Sequence, residues 1–467
     1  LLGEVLLSRM KTILGREVNT SLIGSVLAFV AVISLGCSFL MACQWFSDGT
    51  SEVFNPSNPI FQLDPFAALV TALIALASLL SCALAVYYLD ELHINHGEYY
   101  ALILLASSGM MLMVAAVDML AVFLGLELMS IPIYVLAGFD RRKLRSNESA
   151  MKYFLVGSFA SAVMLYGIAL LYGATGSTSF EVLRAGFDGT STLALIGVGL
   201  VMVGFAFKIS SVPFHQWTPD VYEGAPSAVT AYMSVTVKAA AVAALLRVVG
   251  LALGPLDDRM IDVIWVLSAL TMVVGNLMAV IQANVKRMLA YSSIAHAGYI
   301  LVGLVAGTPN LGAFGVVVAL AHHGHDCERI DSFAGLGKTR PALAALMTLF
   351  LVALTGIPPT VGFFAKFIIF MAAVNAGHVP LAIIGVLMSV VSVYYYMRIP
   401  VLMYMHEPGE EAPRPETSSG EVVVLGVCAL AVLFLGIFPN EGWLPLVGQL
   451  NVIEWTRASV QLLFPSG

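Results

Sequence analysis

The sequence predicts an all-α polytopic membrane protein, and three observations carry that reading. Of 467 residues, 59% are hydrophobic and 11% charged, where globular domains carry roughly a quarter charged residues. The apolar residues fall into runs about one bilayer thick. The basic residues collect in loops between those runs, as the positive-inside rule describes. At roughly 20 apolar residues per crossing, the chain has enough for roughly a dozen spans. A mean hydropathy of +0.91 excludes a soluble enzyme, a disordered chain and a secreted disulfide scaffold. With 22 basic and 29 acidic residues, no nucleic-acid footprint is present. The first apolar stretch is broken by Arg9, Lys11 and Arg16, so no cleavable signal is expected.

The runs lie near 20–46, 65–89, 99–117, 119–138, 150–173, 192–212, 227–253, 260–283, 290–307, 342–376, 381–405 and 421–439. All but 342–376 have single-span length. That stretch holds Gly356, Pro358, Pro359 and Gly362 at its middle and reads as two short helices or one broken helix. Arg141–Arg145 and Lys286–Arg287 are separated by four spans, so both loops fall on one side, read as cytoplasmic. The Lys338 and Arg340 cluster fits less easily. Reaching the same side needs two crossings, yet after 290–307 only 311–322 is apolar. A dozen residues make about 18 Å of helix, so this segment is either re-entrant or marks a lost crossing. The stretch 443–463 reads as an interfacial helix.

Ionisable residues inside spans cost about 2.5–3.5 kcal/mol each. Glu127, Lys208, Lys238 and Lys366 lie within spans; unpaired, they would cost on the order of 10 kcal/mol. Pairing or internal water is therefore expected. Lys152, Arg247 and Arg398 are nearer span ends, where snorkelling accounts for them. A buried lysine whose carboxylate partner can move is a switchable proton site, so three lysines with one carboxylate have the composition of a proton relay. Pro213 follows Lys208, and Pro358 and Pro359 precede Lys366. Discontinuous helices are expected at both places, in the two-halves pattern of transporters. His215 and His296 are further relay candidates. His322, His323, His325 and Cys327 have metal-ligating side chains but no helical i, i+4 spacing among the histidines, so no metal site is expected. The five cysteines form no CxxC, and no redox centre is expected in this chain. No Walker or GxGxxG motif on a strand–helix unit is present.

The stretches LGLELMSIPIYVLAGF, SAMKYFLVGSFASA, FKISSVPFHQWTPDVYEGAPSAVTAYMSVTVK, NVKRMLAYSSIAHAGYILVGL and LTGIPPTVGFFAKF resemble the antiporter-like membrane subunits of respiratory complex I, the proton-pumping NADH–quinone oxidoreductase. Within that family they most resemble subunit N. The resemblance runs from about residue 60 to 440 and implies 12–14 transmembrane helices with two inverted five-helix repeats. The chain then divides into N-terminal helices (1–98), a first repeat (99–253), a second repeat (260–405) that lacks one crossing near 308–322, and a loop, last span and interfacial segment (406–467).

Residue by residue, the resemblance implies a proton relay. Glu127 would tune Lys208, Lys238 would be the middle lysine, His296 a bridging histidine and Lys366 the terminal lysine. It implies no cofactor in this chain, with FMN, iron–sulfur clusters and quinone in partner subunits. The implied partners are the other membrane subunits and the lipid bilayer, in a bacterial plasma membrane. The alternatives are a cation/proton antiporter subunit and a non-conducting structural subunit.

Overall fold

The computed structural model describes residues 20–186, 191–253, 258–306, 330–408 and 419–437. The described residues are helical almost throughout, as a bilayer demands of a backbone with no water to bond to. Ten helices among the described residues are long and apolar enough to cross a membrane. The first six are α1 (Thr20–Asp48), α2 (Pro65–Glu91), α3 (Gly97–Ala115), α4 (Met119–Ala137), α5 (Leu144–Thr175) and, after a short helix α6 (Phe180–Gly186), α7 (Thr192–Ile209). The short α8 (Trp217–Gly224) follows, then α9 (Ser227–Leu253), α10 (Asp258–Val280) and α11 (Val285–Val305). Beyond them lie α12 (Leu336–Thr339), the half-length α13 (Pro341–Thr355) and α14 (Val361–Asn375), the full-length α15 (Val379–Met405), and α16 (Ser419–Ile437).

Capping explains where several helices begin. Asp64 accepts from Ala67 N and Asp118 from Leu120 and Ala121 N. Ser191 accepts from Ala194 N and Asn284 from Arg287 N. Each supplies an acceptor for a backbone donor that the first turn leaves free. The cap at Asn284 also explains why α11 begins five residues before its apolar run. Likewise α5 starts at Leu144, its polar first turns continuing the helix beyond the apolar stretch.

Both expected breaks are present. Helix α7 stops at Ser210, with φ +64°, and the chain runs through Pro213 before α8 starts. Helix α13 stops at Gly356, with φ +83°, and α14 resumes at Val361. The 342–376 stretch is thus a broken helix. Glycines set the closest approach in the first half. A Cβ on Gly125 of α4 would lie 2.7 Å from the backbone nitrogen of Met113 on α3. Because a backbone cannot step aside, Gly125→Val should force α3 and α4 apart at an overpacking cost of about 1–3 kcal/mol. A lowered thermal-unfolding midpoint of the detergent-solubilised protein checks this.

The two ends of the bundle differ. At one end lie the Arg141–Arg145 loop and Lys286–Arg287, joined through the acidic side chains of α8: Asp220 bonds Lys152 and Arg287, and Glu223 bonds Arg287 and meets Arg145. The two basic loops do share one side, as their spacing required. The 330–340 segment belongs there too: Ile330 N bonds Ala283 O, and Gly335 N bonds Leu402 O. Lys338 and Arg340 therefore stand at the same end as Lys286, and the broken helix α13–α14 leads away from it. The short 309–322 segment lies outside the described residues, as do His322, His323, His325, Cys327 and the 443–463 stretch. At the opposite end a hairpin of β1 (Glu52–Phe54) and β2 (Phe61–Leu63) packs near the links Phe61–Ala116 and Asp118–Ser179.

One expectation fails at that far end. Arg247 does not snorkel: it is 1% exposed and paired with Asp64 at 2.8 Å. Its position near the end of a span drew it toward solvent on paper. In the fold, the hairpin and the start of α2 close over that end and supply a partner.

Candidate functional site

The three span lysines are all internal: Lys208 is 2% exposed, Lys238 6% and Lys366 8%. Each is solvated by the protein in a different way.

Lys208, one residue before the end of α7, donates from Nζ to Ser130 Oγ at 2.7 Å and to Tyr134 OH at 3.3 Å. Its ammonium also lies 5.2 Å from the Tyr134 ring centre and 5.5 Å from that of Tyr153, within cation–π range. Glu127, on the same helix α4 as Ser130 and Tyr134, is half-buried. Its Oε1 accepts from Ser161 Oγ of α5 at 2.5 Å, and the Tyr134 hydroxyl bonds Ser161 as well. Glu127 and Lys208 are therefore joined through Ser161 and Tyr134, with no direct ion pair between them among the described residues. Gly157 makes room for this arrangement, because a Cβ there would collide with the Tyr134 hydroxyl.

The break after α7 is closed by aromatic groups. Trp217 donates its indole N–H to Phe207 O at 3.1 Å, a carbonyl in the last turn of α7 that also accepts from Ser210 N. It stacks on Tyr153 at 4.3 Å and meets Tyr222 edge-on. Tyr222 lies under the second lysine, whose Nζ is 5.9 Å from its ring centre. Lys238 follows a π turn, Met233–Val237, a local widening that recurs at functional positions. Its Nζ donates to Ser293 O at 2.9 Å and to Ser293 Oγ at 2.5 Å.

Ser293 belongs to α11, which carries the next groups at three-residue steps, Ser293, His296 and Tyr299, so that successive members are neighbours on the helix. At 1.5 Å of rise per residue, Ser293 lies about 12 Å and Tyr299 about 21 Å from the start of α11. The row leads away from the basic end. The rings of His296 and Tyr299 are 5.8 Å apart, and Lys366 Nζ lies 5.0 Å from the Tyr299 ring centre. Lys366 donates to Leu354 O at 3.0 Å and Thr355 O at 2.9 Å. It thus reaches from α14 back across the break to the last carbonyls of α13, at the negative end of that half-helix. The Tyr299 hydroxyl accepts from Asn276 and Ser389, both at 3.3 Å, and Asn276 accepts from Tyr395 at 3.0 Å.

Glu127, Lys208, Lys238, His296 and Lys366 thus fall in a chain of polar and aromatic contacts rather than in one pocket. Sequence reasoning missed the groups between them: Ser130, Tyr134, Ser161, Ser293, Tyr299 and Asn276. Hydroxyl residues are common in membrane helices, and nothing in their spacing marked these. Asp220 and Glu223 of α8 were also missed, although their three-residue spacing within HQWTPDVYEGAP was a usable signal. They line, with Arg145, Lys152 and Arg287, a cavity of about 210 Å³ at the basic end. Burial works against the Asp220 carboxylate, but hydrogen bonds from Lys152 and Arg287 outweigh it and hold its pKa below the usual carboxylate range. His215 lies at the break, its buried Nδ1 without a hydrogen-bond partner among the described residues. Among the described residues, no group of three or more His, Cys, Asp or Glu could hold a metal ion.

The family described as NADH:quinone oxidoreductase/Mrp antiporter, TM, matches residues 116–392. That range takes in all five candidate residues. An NADH-quinone oxidoreductase subunit N from Trichlorobacter lovleyi is 45% identical over 436 residues, covering 89% of this chain and 88% of that protein. A chain of respiratory complex I from Thermus thermophilus superposes with a TM-score of 0.76 at 32% identity, over 90% of this chain and 96% of that one. A chain of the Mrp complex from Dietzia has the same fold, with a TM-score of 0.82 at 24% identity over 99% and 97% of the two chains. The chain belongs to the NADH:quinone oxidoreductase/Mrp antiporter membrane family, and within it to the antiporter-like subunits N.

Proposed function

We propose that this chain translocates protons as a membrane subunit of an NADH–quinone oxidoreductase, driven by quinone reduction in partner subunits that carry FMN and iron–sulfur clusters. In this reading the basic end faces the cytoplasm of a bacterium. Residues 99–253 and 260–405 act as two inverted repeats, each with one broken helix. A proton taken up on the basic side reaches Lys208. It moves past Lys238 and His296 to Lys366, and leaves at the far side.

The observation that supports this best is the α11 row, with Lys238 bonded to Ser293 and Lys366 over Tyr299. It places an imidazole between two buried ammonium groups, and imidazole can accept and donate at neutral pH. Glu127 is suited to a tuning role because its charge acts on Lys208 through space, and the Ser161 and Tyr134 hydroxyls beside it can reorient. Moving one charge against 100 mV requires about 2.3 kcal/mol, which the redox partners supply.

Lys238→Ala tests the reading in the assembled, membrane-embedded enzyme. The ratio of protons moved per NADH oxidised should fall, and turnover with it, while the amount of assembled enzyme is unchanged. A normal ratio at normal assembly would sink the relay and leave a structural subunit. Na⁺- or K⁺-dependent proton flux without NADH would replace it with cation/proton exchange.

A further inference from the structure

The Tyr299 ring stands 5.8 Å from that of His296, and its centre lies 5.0 Å from the Lys366 ammonium. We infer, on the proton-relay reading, that Asn276 is a positioning residue for this ring and acts on proton transfer through it. A tyrosine ring is not fixed by its own helix, because its outer torsion is broad. Three neighbouring helices hold this one. Asn276 of α10 and Ser389 of α15 bond the hydroxyl, and Phe370 of α14 meets the ring edge-on at 5.9 Å. Ser389 divides one hydroxyl hydrogen between Tyr299 OH at 3.3 Å and Gly385 O at 2.9 Å. Asn276 is the rigid partner. Its Nδ2 donates to Met272 O at 2.8 Å as well as to Tyr299, and its Oδ1 accepts from Tyr395 at 3.0 Å. A backbone carbonyl only accepts, so Met272 fixes which end of the amide carries the N–H groups. Tyr299 must then accept from Asn276, and Tyr395 must donate to it.

The packing is built around this contact. Gly275 precedes Asn276 and Gly298 precedes Tyr299. A Cβ on Gly275 would lie 2.6 Å from Ala295 N, and one on Gly298 2.7 Å from Met272 N. Helices α10 and α11 therefore meet backbone to backbone where Asn276 reaches Tyr299. Asn276 is 0% exposed and Tyr395 1%, and polar groups enclosed at membrane depth are costly enough to need a reason. Holding the aromatic face that His296 and Lys366 share supplies one. An amide gives up no proton at neutral pH, so Asn276 holds Tyr299 without opening a second path to it. Geometry matters here because a misplacement of about 1 Å can cost about 10²-fold in rate.

A double-mutant cycle in the assembled, membrane-embedded enzyme tests this. Asn276→Leu keeps the bulk of the side chain and removes the amide. Tyr299→Phe keeps the ring and removes the hydroxyl that Asn276 holds. Each should slow NADH-driven proton transfer several-fold at an unchanged amount of assembled enzyme. The double variant should be no slower than the slower single one, because both changes cut the same bond. Losses that multiply in the double variant would overturn the inference, as would normal transfer in either single one, even with a lowered unfolding midpoint. Should Asn276→Leu not assemble, Asn276→Ala, which only removes atoms, takes its place in the cycle. Lys238→Ala separates this inference from the relay itself. Normal transfer there sinks both, whereas slow transfer there beside normal transfer in Asn276→Leu overturns the positioning role alone.

Discussion

Arg247→Leu should destabilise the chain by about 3–5 kcal/mol, the usual consequence of leaving one partner of a buried ion pair alone. Arg247 bonds three residues from separate elements, Asp64 through both carboxylate oxygens. Its Nη1 lies 2.8 Å from Asp64 Oδ2, Nε donates to Ala116 O at 3.0 Å, and Nη2 donates to Gln62 O at 3.3 Å. The Nη1 group also reaches Asp64 Oδ1 at 3.1 Å. These contacts tie the end of α9 to the hairpin, to the start of α2 and to the end of α3. Asp64 has a second task, since Oδ1 accepts from Ala67 N at 2.8 Å and caps α2. Asp64→Ala should therefore cost more than Arg247→Leu by about 1 kcal/mol, the worth of a lost cap. Asp64→Asn keeps the cap and removes the charge, so the double variant Arg247→Leu, Asp64→Asn should recover most of the loss. Thermal unfolding of the solubilised protein, compared across the four chains, reads this coupling directly. If the double variant is no better than Arg247→Leu alone, the ion pair is not the source of the stability.

Much of this architecture was legible in the sequence because the bilayer imposes a simple rule on composition. Span positions followed from apolar runs. The sharing of one end by Arg141–Arg145 and Lys286–Arg287 followed from counting spans, and α8 now joins the two loops through Asp220 and Glu223. The breaks followed from Pro213, Pro358 and Pro359, which cannot continue a helix ladder. The internal lysines stood out because a charge in a span needs a reason.

What periodicity does not carry is partner identity. Hydropathy shows that Lys366 is deep, but not that α13 ends under its ammonium. It cannot distinguish Arg247, which a hairpin covers, from an arginine free to reach solvent. Nor does the resemblance, which implies that Glu127 tunes Lys208, say what lies between them. The two stand on different helices, and which hydroxyls come between them depends on how α4, α5 and α7 are rotated against one another. The close approach allowed by Gly157 sets that rotation at Tyr134, and no window of sequence reports it.

Lys366→Met should slow proton transfer through the chain by about 10²-fold or more, the usual loss when a positioned proton-transfer group is removed. The substitution keeps the bulk of the side chain and takes away its ammonium. Two effects follow, and they can be told apart. The first is structural: Leu354 O and Thr355 O lose their donor, at about 1–3 kcal/mol for a buried group left unsatisfied. The second is functional, because the ammonium that takes the proton on from the Tyr299 side in the proposed relay is gone. Lys366→Arg separates them. A guanidinium can still donate to the two carbonyls and lie over the Tyr299 ring, but it does not give up its proton in a protein. In the relay reading, Lys366→Arg assembles and unfolds like the parent yet moves protons as poorly as Lys366→Met. In a purely structural reading, Lys366→Arg is nearly normal on both counts. The pair of measurements, unfolding midpoint and protons moved per NADH oxidised, therefore decides whether the ammonium at the end of α13 is a cap or a carrier. The proposed carrier role accounts for a charge where a cap alone would need only the donors that a backbone amide or a hydroxyl supplies at lower cost than a buried charge.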